Sequence, residues 1–325
     1  MRAVRMHGIG GPEVLQYEEA PTPEPGRNEL LIRLRAAAVN RIDLLLREGR
    51  VPIGKALPHI LGVDGAGAVV RGAWGDARPG DRVFVSGETL GRLRDGTYAE
   101  YVTVPSSLVL PMPRDMRYED AAALGFSALT AWQALVDRAA IAAGQTVLIH
   151  AAGGGVGVAA IQIAKLLGAR VIATASTDAK LERARQLGAD FVINYARSDF
   201  AIQTKSMTNN RGVDVILDSV GGETFTRSLE CLAPGGRLIA VGLVGGAEVQ
   251  VDLRQIVPRG ISVLGLSAGA LPPYQAADRY RQIGDLVARG RLHPVIDRIL
   301  PLSDAPLAHR LMAQRNHFGK IILRT

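Results

Sequence analysis

The run Val147-Leu148-Ile149-His150-Ala151-Ala152-Gly153-Gly154-Gly155-Val156-Gly157 carries an apolar strand directly into a glycine-rich turn. Residues with so little side chain let the backbone bend sharply and bring its N–H groups against a pyrophosphate, while a following helix adds partial positive charge at its amino end. The segment Ala159 to Leu167 reads as that helix. The spacing is A-x-G-x-x-G, with Ala152 where the first glycine of the usual dinucleotide fingerprint stands. Ala152, Gly153, Gly154, Gly155, Val156 and Gly157 are therefore read as a cofactor turn. Cofactor choice is made at the end of the next strand, Arg170 to Ala175, where an acidic residue would hold the 2′-hydroxyl of NAD. Here the strand runs into Ser176 and Thr177, and Lys180 follows Asp178 and Ala179. No carboxylate stands at the strand end itself, and a hydroxyl, a helix start and an ammonium are available for a 2′-phosphate. The expectation is NADP(H). The plainer reading makes Lys180 a solvated helix residue and Asp178 an ordinary N-terminal helix carboxylate.

These groups need a scaffold that alternates strands with helices. From Tyr118 through Val136 the chain is alanine-rich and helical, and strands then recur at Thr146 to His150, Arg170 to Ala175, Phe191 to Asn194, Val213 to Asp218, Arg237 to Val241 and Ser262 to Leu266. Six such strands with intervening helices make one doubly wound sheet, so the fold class is α/β. Residues 1–120 read instead as β-rich, with short apolar segments at Glu29 to Leu34, Gly65 to Val70, Arg82 to Val85 and Tyr98 to Val104, punctuated by proline and glycine. The tail holds a helix, Tyr274 to Arg289, a strand, Val295 to Leu300, a second helix from Ser303 and a last apolar strand, Lys320 to Leu323. It is expected to pack back on the first lobe, leaving the nicotinamide in the cleft between lobes.

Composition narrows the function. A length of 325 residues exceeds the usual single domain. The single cysteine, Cys231, excludes an internal disulfide and any cysteine-built zinc cluster, and fits a reducing, cytoplasmic setting. Met1 to Met6 reads as a strand rather than a signal peptide, and no apolar stretch reaches the roughly 18 residues of a membrane span. The net charge of +7 comes mainly from arginines spread along the chain without long runs, which fits solvated surface better than a nucleic-acid face.

Several motifs together carry a family resemblance. They are Val39-Asn40-Arg41-Ile42-Asp43 with Arg47-Glu48-Gly49, Leu61-Gly62-Val63-Asp64-Gly65-Ala66-Gly67, Gly80-Asp81-Arg82-Val83 and Gly96-Thr97-Tyr98-Ala99-Glu100-Tyr101. Gly125-Phe126-Ser127-Ala128-Leu129-Thr130-Ala131-Trp132, the glycine turn, Asp218-Ser219-Val220-Gly221-Gly222 and Phe318-Gly319-Lys320-Ile321 complete the set. Over nearly its whole length the chain resembles the medium-chain dehydrogenase/reductase superfamily, and within it the zinc-free quinone oxidoreductase branch that includes the zeta-crystallin-like proteins. The resemblance implies a GroES-like catalytic domain over 1–120, completed by 270–325, and a Rossmann NADP-binding domain over 121–269. It further implies a homodimer joined edge to edge through the strand at Ser262 to Leu266.

The same resemblance shows what this chain lacks. Zinc-dependent members hold the catalytic metal on cysteine, histidine and cysteine at positions matching Asn40, Val63 and Phe126, and valine and phenylalanine do not ligate zinc. The cysteines of the structural zinc lobe are missing too. No metal is expected, and the six histidines are scattered without paired spacing. Without a Lewis acid the substrate must accept hydride readily, as a quinone or an α,β-unsaturated carbonyl does, and the protein mainly positions two π systems. By resemblance, Asn40 orients the reacting groups and Asp43 is its acidic neighbour; both are the catalytic candidates. Leu45, Val63, Asp64 and Phe126 would border the substrate; the plainer readings make Asp43 a turn-fixing carboxylate and Asp64 a structural hydrogen-bond acceptor in the Gly62 to Gly67 turn. Thr130 would lie by the nicotinamide, and Tyr195 by the adenine and 2′-phosphate with Ser176 and Lys180. Val241, Gly242, Leu243, Leu266, Ser267 and Ala268 would follow the nicotinamide half through their backbone.

Two alternatives stay open. Enoyl-thioester reductases of the superfamily place a tyrosine proton donor just after the Arg-x-Gly stretch, where this chain has Val51. A non-catalytic NADPH-binding protein, structural or RNA-binding, is the other. Gly125-Phe126-Ser127-Ala128-Leu129 lacks the last glycine and the preceding buried strand of a nucleophile elbow, and Cys231 reads as a small packing residue.

Overall fold

The computed structural model describes residues 1–72, 78–87 and 89–325, with only the backbone of Pro273. Two compact units divide it, Met1–Leu129 with Gly269–Thr325, and Thr130–Ala268.

The second unit is built on six parallel strands. Their order across the sheet is Phe191–Asn194, Arg170–Ala175, Thr146–Ile149, Val213–Asp218, Leu232–Ala240 and Ser262–Gly265. Val147, Leu148 and Ile149 have no accessible surface, because helices cover both faces of a parallel sheet and its central strands are apolar throughout. Burying each such side chain contributes about 1.5–3 kcal/mol. The strand order reverses between Thr146–Ile149 and Val213–Asp218, as in a doubly wound dinucleotide fold.

The first unit is β-rich. A three-stranded sheet runs Leu15–Glu19, Arg2–Met6, His59–Ile60. A seven-stranded sheet runs Ile296–Pro301, Lys320–Arg324, Glu29–Ala38, Asp64–Arg71, Arg82–Ser86 and Val109–Pro111, with Tyr101–Pro105 also paired to Glu29–Ala38. The chain's last strand thus enters this sheet antiparallel to Glu29–Ala38, Ile322 facing Ala38. Among the described residues, no helix is long and apolar enough to cross a membrane.

Several expected boundaries move. The helix after the glycine turn spans Gly155–Leu166, starting four residues before Ala159, because the glycines themselves form its first turn. The strand expected from Tyr98 begins at Tyr101, and Tyr98 is instead wholly buried ahead of it. Helix Tyr118–Trp132 is broken at Gly125, and Gln133–Arg138 continues it in π geometry. The boundary drawn near residue 120 falls inside this helix, and the division between units comes after Leu129.

Candidate active site

Sheet register sets out a polar cluster in the first unit. Ala38 pairs with Asp64 and Asp64 with Ser86 on three adjacent strands. Asp64 has no accessible surface. Its Oδ1 accepts from Ser86 Oγ at 2.6 Å and from the Phe126 N–H at 2.9 Å, and its Oδ2 accepts from Asn40 Nδ2 at 2.8 Å. The Tyr280 hydroxyl donates to Ser86 Oγ at 2.5 Å. Gly125 makes this possible, since a Cβ there would stand 2.3 Å from the Asp64 carboxyl group. The helix break therefore gives the Phe126 N–H a side-chain acceptor in place of a helical carbonyl.

Lys320, on the last strand, is buried beside them. Its Nζ donates to Asn40 Oδ1 at 2.5 Å and to Ser127 Oγ at 3.3 Å, and lies 3.7 Å from Asp64 Oδ2. Burial lowers the ammonium pKa from its usual value, and Asp64 and Asp43 oppose that shift. Asn40 spends its other N–H on the Ala38 carbonyl at 3.1 Å. Both amide hydrogens of Asn40 are thus given to the protein, and its oxygen is held by Lys320.

Asn40 also precedes the helix Arg41–Arg47, and its backbone N–H donates to Asp43 Oδ2 at 2.7 Å. Tyr98 donates to the same oxygen at 2.9 Å, while Asp43 Oδ1 has no hydrogen-bond partner among the described residues. Desolvation pushes the Asp43 carboxyl up to about 7. Behind Tyr98 stands His309, its Nε2 at 3.2 Å from the phenol oxygen and its Nδ1 at 3.3 Å from Arg47 Nη1. Arg47 only donates, so Nδ1 accepts and Nε2 carries the proton toward Tyr98. Desolvation, then the Arg47 charge, holds His309 down at about 3, so it is neutral near pH 7.

The remaining first-unit candidates vary in exposure. Leu45 and Phe126 are partly exposed, whereas Val63 is fully buried. A cavity of about 220 Å³ lined by Phe84, Leu110, Met112, Met116, Leu124 and Ile283 lies against Tyr280, and none of Leu45, Val63, Asp64 and Phe126 lines it. Among the described residues, no three His, Cys, Asp or Glu side chains are grouped to hold a metal ion.

In the second unit, the cofactor candidates from residue 152 onward gather at the carboxyl ends of the parallel strands. Ala152 to Gly157 follow Ile149, Ser176 and Lys180 follow Ala175, Tyr195 follows Asn194, Val241 to Leu243 follow Ala240, and Leu266 to Ala268 follow Gly265. That edge is where ligands bind in open α/β sheets. Gly154 caps helix Gly155–Leu166 without a side-chain bond, leaving the first N–H groups for an anion. A Cβ on Gly157 would stand 2.6 Å from the Ala151 carbonyl oxygen, so the turn closes only with glycine there. A pyrophosphate fits these features. Thr130, the first residue of this unit, is buried.

At the Ser176 end, Thr177 Oγ1 caps the next helix by accepting from the Lys180 N–H at 3.4 Å. The nearby carboxylate of Asp178 accepts from Asn194 Nδ2 at 2.6 Å and from Arg197 Nη1 at 2.5 Å. Its charge is therefore compensated by the Asn194 amide and the Arg197 guanidinium. Tyr195 is exposed beside Asn194. His150, despite its place in the turn, is buried between Thr174 Oγ1 at 3.0 Å and Ser228 Oγ at 2.9 Å, and burial holds it down at about 4. Cys231 is buried, its thiol pushed up to about 12 by desolvation.

Sequence reasoning missed Lys320, Ser127, Ser86, Tyr98, His309 and Arg197 as parts of these sites. Lys320, Ser127 and Tyr98 stood in motifs of the resemblance without a role assigned to them, and Lys320 also opens the apolar strand Lys320–Leu323 as a cation. The others are ordinary residues until register brings them together.

Comparison with known proteins adds the following. Residues 26–114 match the alcohol dehydrogenase GroES-like domain family and residues 155–289 the zinc-binding dehydrogenase family. A quinone oxidoreductase from Sus scrofa is 34% identical over 329 residues, 99% of this chain and 97% of that protein. Among solved structures, an NAD-dependent alcohol dehydrogenase is 39% identical with a TM-score of 0.92, over the full length of both chains. The Escherichia coli quinone oxidoreductase complexed with NADPH is 31% identical with a TM-score of 0.92, also over both full lengths.

Proposed function

The chain belongs to the medium-chain dehydrogenase/reductase superfamily, in its quinone oxidoreductase branch, and on that premise we propose that it reduces quinones and related α,β-unsaturated carbonyls with NADPH and without a metal. It is an oxidoreductase. The observation that carries the metal-free reading is the donor set at the three positions where zinc-dependent members bind metal. Asn40 has its amide committed to Lys320, Asp64 and Ala38, and Val63 and Phe126 offer no ligand atom. A buried ammonium stands there instead, and zinc does not fit.

The backbone from Ala152 to Gly157 would hold the pyrophosphate, Ser176, Lys180 and Tyr195 the 2′-phosphate end, and Thr130, Val241 to Leu243 and Leu266 to Ala268 the nicotinamide half. When bound, the dinucleotide supplies a hydride. The chain's own residues then do electrostatic work. Asp43 fixes the backbone of Asn40, Asp64 and Lys320 fix its amide, and the ammonium favours the negative oxygen that a reduced carbonyl acquires. A hydroquinone leaves as a phenolate with pKa about 10, so its release does not require a strong acid.

The test is oxidation of NADPH and, separately, NADH by purified protein with ortho- and para-quinones and simple enones, corrected for the nonenzymatic rate. Quinone-dependent, NADPH-selective turnover is expected. Equal use of NADH would remove the 2′-phosphate assignment, and saturation of alkenyl thioesters in preference to quinones would replace the substrate class. The exposed edge strand Ser262–Gly265, with Val263 on it and exposed Leu253 and Val257 in the preceding segment, supports a homodimer formed by edge pairing. A monomer in sedimentation at micromolar concentration would exclude it.

A further inference from the structure

We propose that Ser127, recharged by the buried amine of Lys320, gives the reduced substrate its proton, with Asn40 and Asp64 positioning the pair. This rests on the reductase reading above. Asn40, the residue expected to face the substrate, donates its two amide hydrogens to Ala38 and Asp64. Lys320 donates to Asn40 Oδ1 and Ser127 Oγ, and Asp64 balances its charge from 3.7 Å. Ser127 is different. Its oxygen receives the Lys320 N–H, while among the described residues its own hydrogen finds only Asn40 Oδ1, at 3.5 Å, an oxygen already taken by Lys320 at 2.5 Å. Among the described residues, the Ser127 hydroxyl is thus a polar hydrogen of the cluster held without a short internal acceptor. It is also the most exposed member, at 7% against 5% for Asn40, 3% for Lys320 and none for Asp64.

The step balances simply. Hydride uptake at the acceptor carbon leaves the electron pair of the carbonyl on its oxygen. That oxygen, or in an enone the α-carbon to which the enolate returns the pair, forms a bond to the Ser127 hydroxyl proton as the Ser127 O–H breaks, and the serine oxygen recovers a proton from the Lys320 ammonium. The neutral amine then takes a proton from solvent. The charged groups around Lys320 are Asp64 and Asp43, and both favour its reprotonation. The second buried chain, His309 to Tyr98 to Asp43, is less suited to the task because it starts at Arg47, which does not release a proton.

The test uses two substrate classes with the full-length protein. A hydroquinone anion needs only a proton on oxygen, which water can give, whereas the enolate from an enone becomes the saturated ketone only by the harder protonation at its α-carbon and needs the donor. Ser127→Ala should lower kcat on enones by about 10²-fold or more, the usual contribution of a positioned acid, and change quinone kcat by less than tenfold, whereas Lys320→Met, which also removes the charge that favours the reduced oxygen, should lower both. Lys320→Arg keeps the charge but gives up no proton, so it should restore quinone rates and leave enone rates low. A measurement without turnover accompanies these. The absorbance of bound para-nitrophenol should titrate at least one unit lower in wild type than in Lys320→Met. Enone rates in Ser127→Ala equal to wild type, or full enone rescue by Lys320→Arg, would overturn the proposal. A wild type inactive with both classes would overturn the reductase reading and the proposal with it.

Discussion

The edge of the second unit proposed to take the dinucleotide is made of backbone, and the polar cluster of the first unit is made of side chains. At Ala152 to Gly157 the chain offers N–H groups, and glycine is needed because there is no room for a Cβ at Gly157. At Asn40, Asp64, Ser127 and Lys320 it offers a buried cation, a buried anion and two polar groups that arrive from distant parts of the sequence. A backbone site is specified locally and costs little to hold. A side-chain site is specified by register and depends on every buried partner being present.

Breaking the buried pair gives the largest expected effect. Asp64→Asn leaves Lys320 without its anion and should cost about 3–5 kcal/mol of stability in urea unfolding. Ser176→Ala, at the backbone-built edge, should change stability by less than about 0.5 kcal/mol. Equal costs would erase the contrast drawn between the regions.

Acid should separate the two units next. His150 of the second unit is held down at about 4, against a reference of about 6.5. Between these values the unfolded chain binds the extra proton, so stability is lost as pH falls, on the order of 3 kcal/mol in all. In the first unit His309 acts in the same direction, but Asp43, raised to about 7, acts in the opposite one. Native Asp43 keeps a proton that its unfolded form loses above pH about 4, so it favours folding in acid and loses that advantage as pH rises toward 7. Hydrogen exchange between pH 6.5 and 4.5 should therefore show the second unit opening first. Asp43→Asn should remove the offset, so that the first unit loses more of its stability on acidification.

Steric tests follow at smaller size. Gly125→Ala drives a methyl group into the Asp64 carboxyl and should cost about 1–3 kcal/mol in thermal unfolding. Smallest is the cofactor discrimination. Lys180→Ala should weaken NADPH about tenfold in a fluorescence titration, about 1.4 kcal/mol, and leave NADH nearly unchanged.

The α/β class and the glycine-rich turn into a helix were legible because each depends on neighbours in sequence. Strands Arg170–Ala175, Phe191–Asn194 and Val213–Asp218 match their expected limits, since apolar runs between turn residues mark buried parallel strands. The side-chain cluster was only half legible. Asn40, Asp43, Asp64 and Lys320 each stood in a motif, but Lys320 lies 280 positions from the amide it holds, and no local pattern connects them. The expected helix through Val136 failed at Gly125 for a similar reason, because a carboxylate 62 positions away takes the Phe126 N–H. Long-range partners override local propensity wherever the site is built from side chains.

The most direct test of the central claim is quinone-dependent NADPH oxidation by protein dialysed exhaustively against a zinc chelator, with the residual metal measured in the same sample. Full activity at negligible zinc is the predicted result. Activity lost with the metal and restored by stoichiometric zinc would contradict a site in which Asn40, Val63 and Phe126 stand where a metal would bind and Lys320 supplies the positive charge.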